Sequence, residues 1–311
     1  MERFIGVRAL PVVLFVAYGA LLLLDLEQFP VINPDEPGYA EPAWTLITRG
    51  EFGAPMYAGM FGMEHRIYTN WPGRGVTTVL PYLIMGPTLY AARVASVMMA
   101  LFLAVCSALV LRRAVGRSLR WPDWLTLGAV LTSPVVVVAG RFARPEIDVA
   151  AWTMAMIVCL DGSLQAGDAR RRRVWGIGGG VCGGIAFAMH QYGLVSLGAG
   201  LLMGTVFRRR GNSSGAGVIW WMAVGAMIAL APWLTFVLTD LQEFLLQFGA
   251  AVSNQAWRYP ASASFGRSST SFLAGTCWTV RTTWSIGIRG LKQQGCWCPR
   301  SQRPKNSGRC A

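Results

Sequence analysis

The sequence predicts an all-α protein, a polytopic bundle of about seven membrane-spanning helices. Of its 311 residues, 53% are hydrophobic and only 14% are charged, and the mean hydropathy is +0.42. That composition is too apolar for an ordinary soluble domain. Seven uncharged runs also approach or reach the roughly 20 helical residues that cross a bilayer. They are 9–24, 94–111, 124–140, 149–160, 174–189, 191–207 and 217–239.

The first run follows two arginines and resembles a secretory signal peptide in the order of its charges. It has no small-residue cleavage pattern, and its apolar stretch is long. We therefore interpret it as a retained signal anchor.

Arginines cluster between the runs and orient the chain. Segments 112–120, 165–174 and 208–210 hold eleven Arg and a single Asp, whereas segment 27–74 holds six acids against three Arg. By the positive-inside rule, the three Arg clusters face the cytoplasm, and segment 27–74 and the chain from Asp240 onward face outside. No aromatic residues interleave the clusters, so the net charge of +13 does not indicate a nucleic acid partner.

The uncharged stretch 76–92 is long enough to be counted as an eighth span. Counting it would move the cluster from Arg112 to Arg120 to the outside, against the strongest orientation signal. Pro81 and Pro87 also interrupt helical hydrogen bonding. We interpret this stretch as a re-entrant or interfacial helix on the outer face.

An acid-rich motif, NPDEPGYAE, follows the first run and contains Asp35, Glu36 and Glu41. Pro37 at the first helical position and Gly50 at the far end predict a short juxtamembrane helix, which Pro42 kinks or restarts. Two roles stay open for Asp35 at this point, a helix cap and a catalytic carboxylate.

A second charged motif, AGRFARPEIDVAAW, lies in the turn between two apolar runs and shares the outer face with the first. Ionisable side chains at membrane depth are costly and usually belong to functional cavities. The alternative is an ion pair between Arg144 and Asp148 at helical i, i+4 spacing. His190, at the outer end of the fifth run, is either a polar anchor or a donor to a phosphate. The charged residues of the motif are Arg141, Arg144, Glu146 and Asp148.

With these motifs in view, the chain resembles GT-C membrane glycosyltransferases, in the branch of dolichyl-phosphate-mannose protein mannosyltransferases and aminoarabinose transferases (family 39-like). The resemblance covers roughly 30–260 and rests on the order PDE..YAE, RIYTNWPGRG, ARPE and a fifth span that ends in a basic residue and Gly. Two positions depart from the pattern. Related transferases often carry Lys before the loop proline, where this chain has Asn70-Trp71 and then Arg74, and His190 replaces a common Lys.

The resemblance implies inverting transfer of a sugar from a polyprenyl phosphate to a hydroxyl of a glycan, lipid or protein. The reaction would lie on the extracytoplasmic face of a bacterial plasma membrane. The resemblance implies Asp35 as general base, and Glu36 is predicted as a second catalytic residue that supports it. Basic residues would receive the lipid phosphate, and acids would orient them or hold Mg²⁺ or Mn²⁺; no cofactor is otherwise expected. The substrate-binding candidates are Glu41, Arg74, Arg141, Arg144, Glu146, Asp148 and His190.

Two other functions compete with this one. Multi-pass helices with acids near the membrane also suit an ion-coupled transporter, but here the acids lie in outer loops and no inverted repeat is evident. A non-catalytic, truncated membrane protein is the third alternative.

The chain changes character near Tyr259-Pro260. From Arg258 to Ala311 it holds nine Lys or Arg, no acid and four of the seven cysteines. We therefore divide it into a catalytic module, 1–260, and a basic tail, 261–311, that is either a disordered arm or the product of truncation or a frameshift. Cys296 and Cys298 lack a second pair at metal-binding spacing, so they do not predict a zinc site.

Overall fold

The computed structural model describes residues 2–68, 72–209 and 214–252. Within these ranges the chain forms eleven α-helices and one short 3-10 turn (Pro55–Tyr57) and no strand, which confirms the all-α class. The predicted boundary at residue 260 and the tail lie outside the described residues. The helices are α1 (Glu2–Leu23), α2 (Glu36–Arg49), α3 (Pro72–Met85), α4 (Leu89–Val115), α5 (Trp121–Leu131), α6 (Pro134–Arg141), α7 (Glu146–Gln165), α8 (Ala169–Met189), α9 (Gly193–Arg209), α10 (Ser214–Leu238) and α11 (Leu241–Val252).

Six of the seven apolar runs each fall on one helix, and the run 124–140 is divided between α5 and α6. Fewer than seven helices meet the length and hydropathy that a span requires. In the described chain three do, α4, α7 and α10, and a fourth is counted if α5 and α6 form one span bent by 59°. The bend follows from Pro134, which opens α6 and cannot continue the preceding helix. α1 and α9 contribute shorter apolar segments, and α8 begins with four arginines and is rich in glycine.

The acid-rich motif forms the predicted short helix, α2. It ends at Gly50, whose φ of 69° is the left-handed conformation that glycine adopts without strain. Asp35 makes no side-chain capping bond, so the cap interpretation is wrong. The helix also continues through Pro42 rather than restarting there. The side chain of Asp35 is therefore available for other contacts.

The uncharged stretch 76–92 does not cross the membrane as one helix. It is divided between α3 and the start of α4, with a turn at Gly86. α3 has 14 residues, and at about 1.5 Å per residue it is too short for a bilayer of about 30 Å. The structure thus agrees with an interfacial or re-entrant helix. Its exposed apolar residues include Val76, Leu80, Leu83 and Ile84.

α8 packs against α7 and α10 through glycines that allow close backbone approach. A Cβ on Gly180 would overlap the carbonyl of Met222 in α10, and a Cβ on Gly225 would overlap the carbonyl of Ile177 in α8. The two helices therefore approach through their backbones.

Replacing Gly180 by Ala is expected to force α8 and α10 apart and to lower the free energy of unfolding by about 3 kcal/mol, the upper range for overpacking a core. Gly178→Ala is the matched control, since its Cβ would meet only the Cys159 sulfur at 3.5 Å. Thermal unfolding of the detergent-solubilised variants measures both effects. Equal melting temperatures for the two variants would contradict the packing argument.

Charged contacts divide the bundle into two ends. At the end that we call the arginine end (112–123 and 161–175), Arg113 lies 3.3 Å from Asp161. There the Ser163 hydroxyl also donates to the Arg172 carbonyl at 2.9 Å. The turns that follow α4 and α7 therefore meet at one level of the bundle.

The opposite, acidic end (27–68, 72–74, 142–148, 190–193 and 239–247) is held together by Gln247 of α11. Its fully buried side chain accepts the Tyr68 N–H at 2.9 Å and donates to the carbonyls of Phe61 at 3.0 Å and Arg66 at 2.7 Å. Arg66 in turn donates to the Thr239 hydroxyl at 2.6 Å, beside the end of α10. The loop between α2 and α3 is thereby fixed, in its described part, to the corner between α10 and α11.

Candidate active site

Arg144 joins the two acidic motifs at the acidic end. One guanidinium nitrogen lies 3.4 Å from the carboxylate of Asp35, and the other lies 2.8 Å from that of Glu146. The three side chains stay partly exposed, with Asp35 at 51%, Arg144 at 29% and Glu146 at 42%. The predicted convergence of these motifs is thus observed. The alternative pair of Arg144 and Asp148 is wrong, because α7 begins only at Glu146 and Arg144 precedes it.

Tyr39 is a fourth member of this cluster, and the sequence motifs did not assign it a role. It lies one helical turn after Asp35, and that i, i+4 spacing is the signal that could have identified it. Burial, followed by the negative charge of Glu146, raises the pKa of Tyr39 to about 12. Its phenol therefore stays protonated at neutral pH and can donate a hydrogen bond.

His190 ends α8 near the same charges. Burial lowers the pKa of its imidazole, and of the two nearby charges Glu146 raises that pKa while Arg144 lowers it. Its Nδ1 accepts the Tyr192 N–H at 3.3 Å, which leaves Nε2 as the donor. At neutral pH His190 is thus an uncharged hydrogen-bond donor rather than the cation expected at a phosphate.

Glu36, predicted as catalytic, lies fully buried behind Asp35. Its two oxygens receive Arg93 Nη2 at 2.8 Å and Nε at 2.9 Å. They also accept the N–H groups of Asn33 and Ala143, each at 2.9 Å. With four donors on one carboxylate, Glu36 has no face open to a substrate. In the structure this carboxylate links the two motifs.

Two arginines that were predicted to bind phosphate are likewise buried and have their partners inside the fold. Arg74 is fully buried, lies 3.1 Å from the buried carboxylate of Asp148 and donates to the Ala92 carbonyl at 2.7 Å. Arg141 is buried and donates to three backbone carbonyls near the end of α1. Since Arg74, Arg141 and Asp148 are all enclosed, the structure does not bring them to the surface that Arg144 occupies. The carbonyl partners of Arg141 are those of Leu21, Leu24 and Phe29.

Glu41, also predicted to bind substrate, lies on the buried side of α2. Its carboxylate accepts the Met56 N–H at 2.9 Å and so attaches the first loop to the helix. Burial raises the pKa of Glu41, and the Met56 hydrogen bond and Arg49 oppose the rise.

We expect Glu41→Gln to raise the melting temperature at neutral pH, because Gln still accepts the Met56 N–H and carries no buried charge. With its pKa raised above the ordinary 4.5, Glu41 binds its proton more tightly in the folded state. The wild type therefore loses stability as the pH rises through the folded pKa. The advantage of Gln should shrink as the pH falls and be absent below 4.5. Melting curves at several pH values measure it, and a lower melting temperature for Gln at neutral pH would count against the buried charge.

An apolar groove of about 440 Å³ leads to the charged cluster. Residues of α6 line it, together with Arg144 and Glu146. An apolar surface beside a guanidinium fits a molecule with a hydrocarbon part and an anionic end. Its apolar lining is Pro134, Val135, Val138, Ala139 and Phe142.

Each of the two acids proposed for a divalent cation has an arginine partner. Glu146 faces Arg144, and Asp148 faces Arg74. In the part of the chain that the structure describes, no three His, Cys, Asp or Glu side chains are grouped as metal ligands.

Comparison with known proteins finds relatives of one kind. The undecaprenyl phosphate-alpha-4-amino-4-deoxy-L-arabinose arabinosyl transferase of Pseudomonas aeruginosa PAO1 is 27% identical over 173 residues, which is 55% of this chain and 30% of that protein. Transferase 2 of the same name from Pseudomonas fluorescens Pf-5 is 26% identical over 183 residues, or 58% of this chain and 29% of that protein. The chain thus spans about a third of the length of these relatives.

The fold is similar to that in a crystal structure of ArnT from Cupriavidus metallidurans bound to undecaprenyl phosphate. The TM-score is 0.59 at 20% identity, covering 77% of this chain and 43% of that one. No family model matches the chain. The resemblance to GT-C proteins of the aminoarabinose transferase kind, predicted from the motifs, is confirmed in sequence and in fold.

Proposed function

We propose that this chain carries the site of an integral-membrane glycosyltransferase that moves a sugar from a polyprenyl phosphate to an acceptor hydroxyl. The bridge from Asp35 through Arg144 to Glu146, at the end of an apolar groove, is the observation that carries the proposal. The relatives act, by their names, on undecaprenyl phosphate-linked 4-amino-4-deoxy-L-arabinose. An aminopentose on such a lipid is the donor class that we propose.

In this proposal the donor lies with its hydrocarbon chain in the groove and its phosphate at Arg144. The phosphate replaces Asp35 and Glu146 as the partner of the guanidinium, and this exchange frees the Asp35 carboxylate as the donor arrives. A cation already held in place stabilises the negative charge that develops on the departing phosphate.

The transfer itself is a single displacement. The acceptor oxygen forms a bond to the anomeric carbon while the bond from that carbon to the phosphate oxygen breaks. The acceptor proton passes to the Asp35 carboxylate, and the polyprenyl phosphate leaves on Arg144. Attack opposite the leaving group inverts the anomeric centre.

Tyr39 and His190 supply neutral donors to the same site. The raised pKa of Tyr39 and the lowered pKa of His190 leave one phenol O–H and one imidazole N–H at neutral pH. Both can bond the phosphate or sugar hydroxyls without adding charge. Glu36 and Arg93 act at a distance, as positioning residues that fix Asp35 beside Arg144.

The acidic end would face the outside of a bacterial plasma membrane, since the positive-inside rule assigns the arginine end to the cytoplasm. There the acceptor hydroxyl belongs to a glycan, a lipid or a protein. No nucleic acid partner and no obligatory cofactor is proposed.

Arg144→Gln tests the function. We expect it to lower transfer from radiolabelled undecaprenyl phosphate-aminoarabinose in isolated membranes by about 10² to 10³, the usual cost of losing one charge-stabilising group. Arg144→Lys should keep part of the rate, because it retains charge but not the planar fork.

Arg117→Gln is the matched control, an exposed arginine paired with Asp123 at the arginine end. It should transfer sugar at the wild-type rate. Unaltered transfer by Arg144→Gln would overturn the assignment. Uptake of the donor without covalent transfer in the wild type would favour the transporter alternative.

A further inference from the structure

The arginine end carries more positive charge than the fold neutralises. Within the described residues, each of its three carboxylates has one arginine partner: Asp123 lies 2.7 Å from Arg117, Asp161 3.3 Å from Arg113, and Asp168 3.3 Å from Arg171. A surplus of this kind favours an anionic partner. Among the described residues, the arginines of this end without a carboxylate in ion-pair contact are Arg112, Arg120, Arg170, Arg172 and Arg173.

A groove of about 370 Å³ at the start of α8 combines part of this charge with apolar surface. It is lined by Asp168, Arg170, Arg171, Val174 and Trp175. Val174 is 62% exposed and Trp175 is 37% exposed. Each arginine lies four residues before an apolar side chain, so cations and apolar groups share one helix face, one turn apart.

The order of the charged and apolar side chains along this helix face matches that of a lipid. α8 packs between α7 and α10, two helices that can span a bilayer, so the groove opens at the level where those helices reach the arginine end. The guanidinium of Arg113 lies 5.5 Å from the Trp175 ring, and that of Arg173 lies 4.6 Å from the Trp221 ring. Tryptophan and arginine together are typical of the boundary between hydrocarbon and headgroups.

We propose that this groove binds one anionic phospholipid of the leaflet at the arginine end. The phosphate lies against Arg170 and Arg171, and an acyl chain follows Val174 and Trp175 into the membrane. Asp168 holds Arg171 in place through its ion pair and accepts the Arg171 N–H at 2.8 Å. Arg170 supplies the charge that no carboxylate of the described chain neutralises. A zwitterionic lipid carries a positive charge of its own, so it does not balance the charge of these arginines. A soluble anion has no acyl chain to contact Val174 and Trp175.

The test is a titration of the purified full chain in detergent micelles with phosphatidylglycerol, followed by native mass spectrometry. We expect one phosphatidylglycerol to be retained. Phosphatidylcholine and inorganic phosphate should neither bind with similar affinity nor displace it. The double variant Arg170→Gln/Arg171→Gln should weaken binding about 25-fold, at about fivefold for each arginine removed near a lipid surface.

Arg117→Gln/Arg120→Gln is the matched control, because it removes the same charge from the same end but leaves the groove intact. It should bind like the wild type. Val174→Asn changes a side chain that is 62% exposed. It keeps all the arginines and should weaken binding severalfold through the apolar wall alone. Circular dichroism and size-exclusion profiles of all variants should match the wild type.

Three results would overturn the proposal. Equal losses in the two double variants would show diffuse electrostatic attraction without a site. Phosphatidylcholine that bound as tightly as phosphatidylglycerol would remove the need for an anionic headgroup. Displacement of the lipid by inorganic phosphate, together with wild-type affinity in Val174→Asn, would leave only an anion site. None of these results bears on sugar transfer at the acidic end.

Discussion

Asp35→Asn is expected to abolish sugar transfer and to leave the chain folded. Asn keeps the size of the side chain and an oxygen that can face Arg144, but it cannot take a proton from the acceptor hydroxyl. Loss of a general base lowers a rate by about 10² to 10⁴, and the upper part of that range is expected if Asp35 is the base. The measurement is the initial rate of label transfer from the polyprenyl-linked sugar in membranes that hold equal amounts of each variant.

Asp123→Asn provides the matched control. Asp123 is another aspartate in an ion pair with an arginine, 2.7 Å from Arg117 at the arginine end. It should retain full activity and a normal expression level. If Asp35→Asn transferred sugar at the wild-type rate, Asp35 could not be the base, although Arg144 could still bind the phosphate.

Arg93→Met is expected to produce the largest loss of stability. Both Arg93 and Glu36 are fully buried, and removing the cation leaves the Glu36 carboxylate charged without an ionic partner inside the fold. Breaking a buried pair from one side costs about 3 to 5 kcal/mol. Thermal unfolding of the purified chain in detergent measures the loss. Sugar transfer should fall with it, since Glu36 also holds the Ala143 N–H beside Arg144.

The double variant Arg93→Met/Glu36→Gln should recover much of that stability. The introduced glutamine is neutral and can still accept a backbone N–H, so its burial costs less than that of an unpaired carboxylate. A double variant as unstable as the single would indicate that packing of the Arg93 side chain, rather than its charge, dominates. A wild-type melting temperature for Arg93→Met would refute the role of the pair.

The motifs identified charged residues that the structure places at the acidic end, but not which of them are exposed there. Asp35 and Glu36 are adjacent in the chain, yet successive residues at a helix start point about 100° apart. Asp35 therefore lies beside Arg144, and Glu36 faces Arg93. Arg74, Arg141 and Arg144 looked equivalent as candidate phosphate ligands. Only the packing of α3 and α6 shows that the first two are enclosed.

The positions of the helices were largely predictable from the sequence, but the breaks between them were not. Charge-free runs located every spanning candidate because crossing hydrocarbon demands apolar length. The same rule joined 124–140 into one run, although Pro134 breaks it, since a proline changes geometry without changing hydropathy. It also counted α8 as a span, but it did not indicate that the glycines of α8 contact the backbone of α10.

The hydrogen bonds between Gln247 and the loop that joins α2 to α3 can form only late in synthesis. Tyr68 bonds Gln247, which lies 179 residues later in the chain. Synthesis proceeds at about 5 to 20 residues per second. The loop is therefore complete roughly 9 to 36 seconds before Gln247 is added to the chain. For that interval the segment from Asp35 to Tyr68 lacks the Gln247 side chain that bonds it. A protease or a chaperone that recognises this segment would therefore act on the nascent chain rather than on the finished protein.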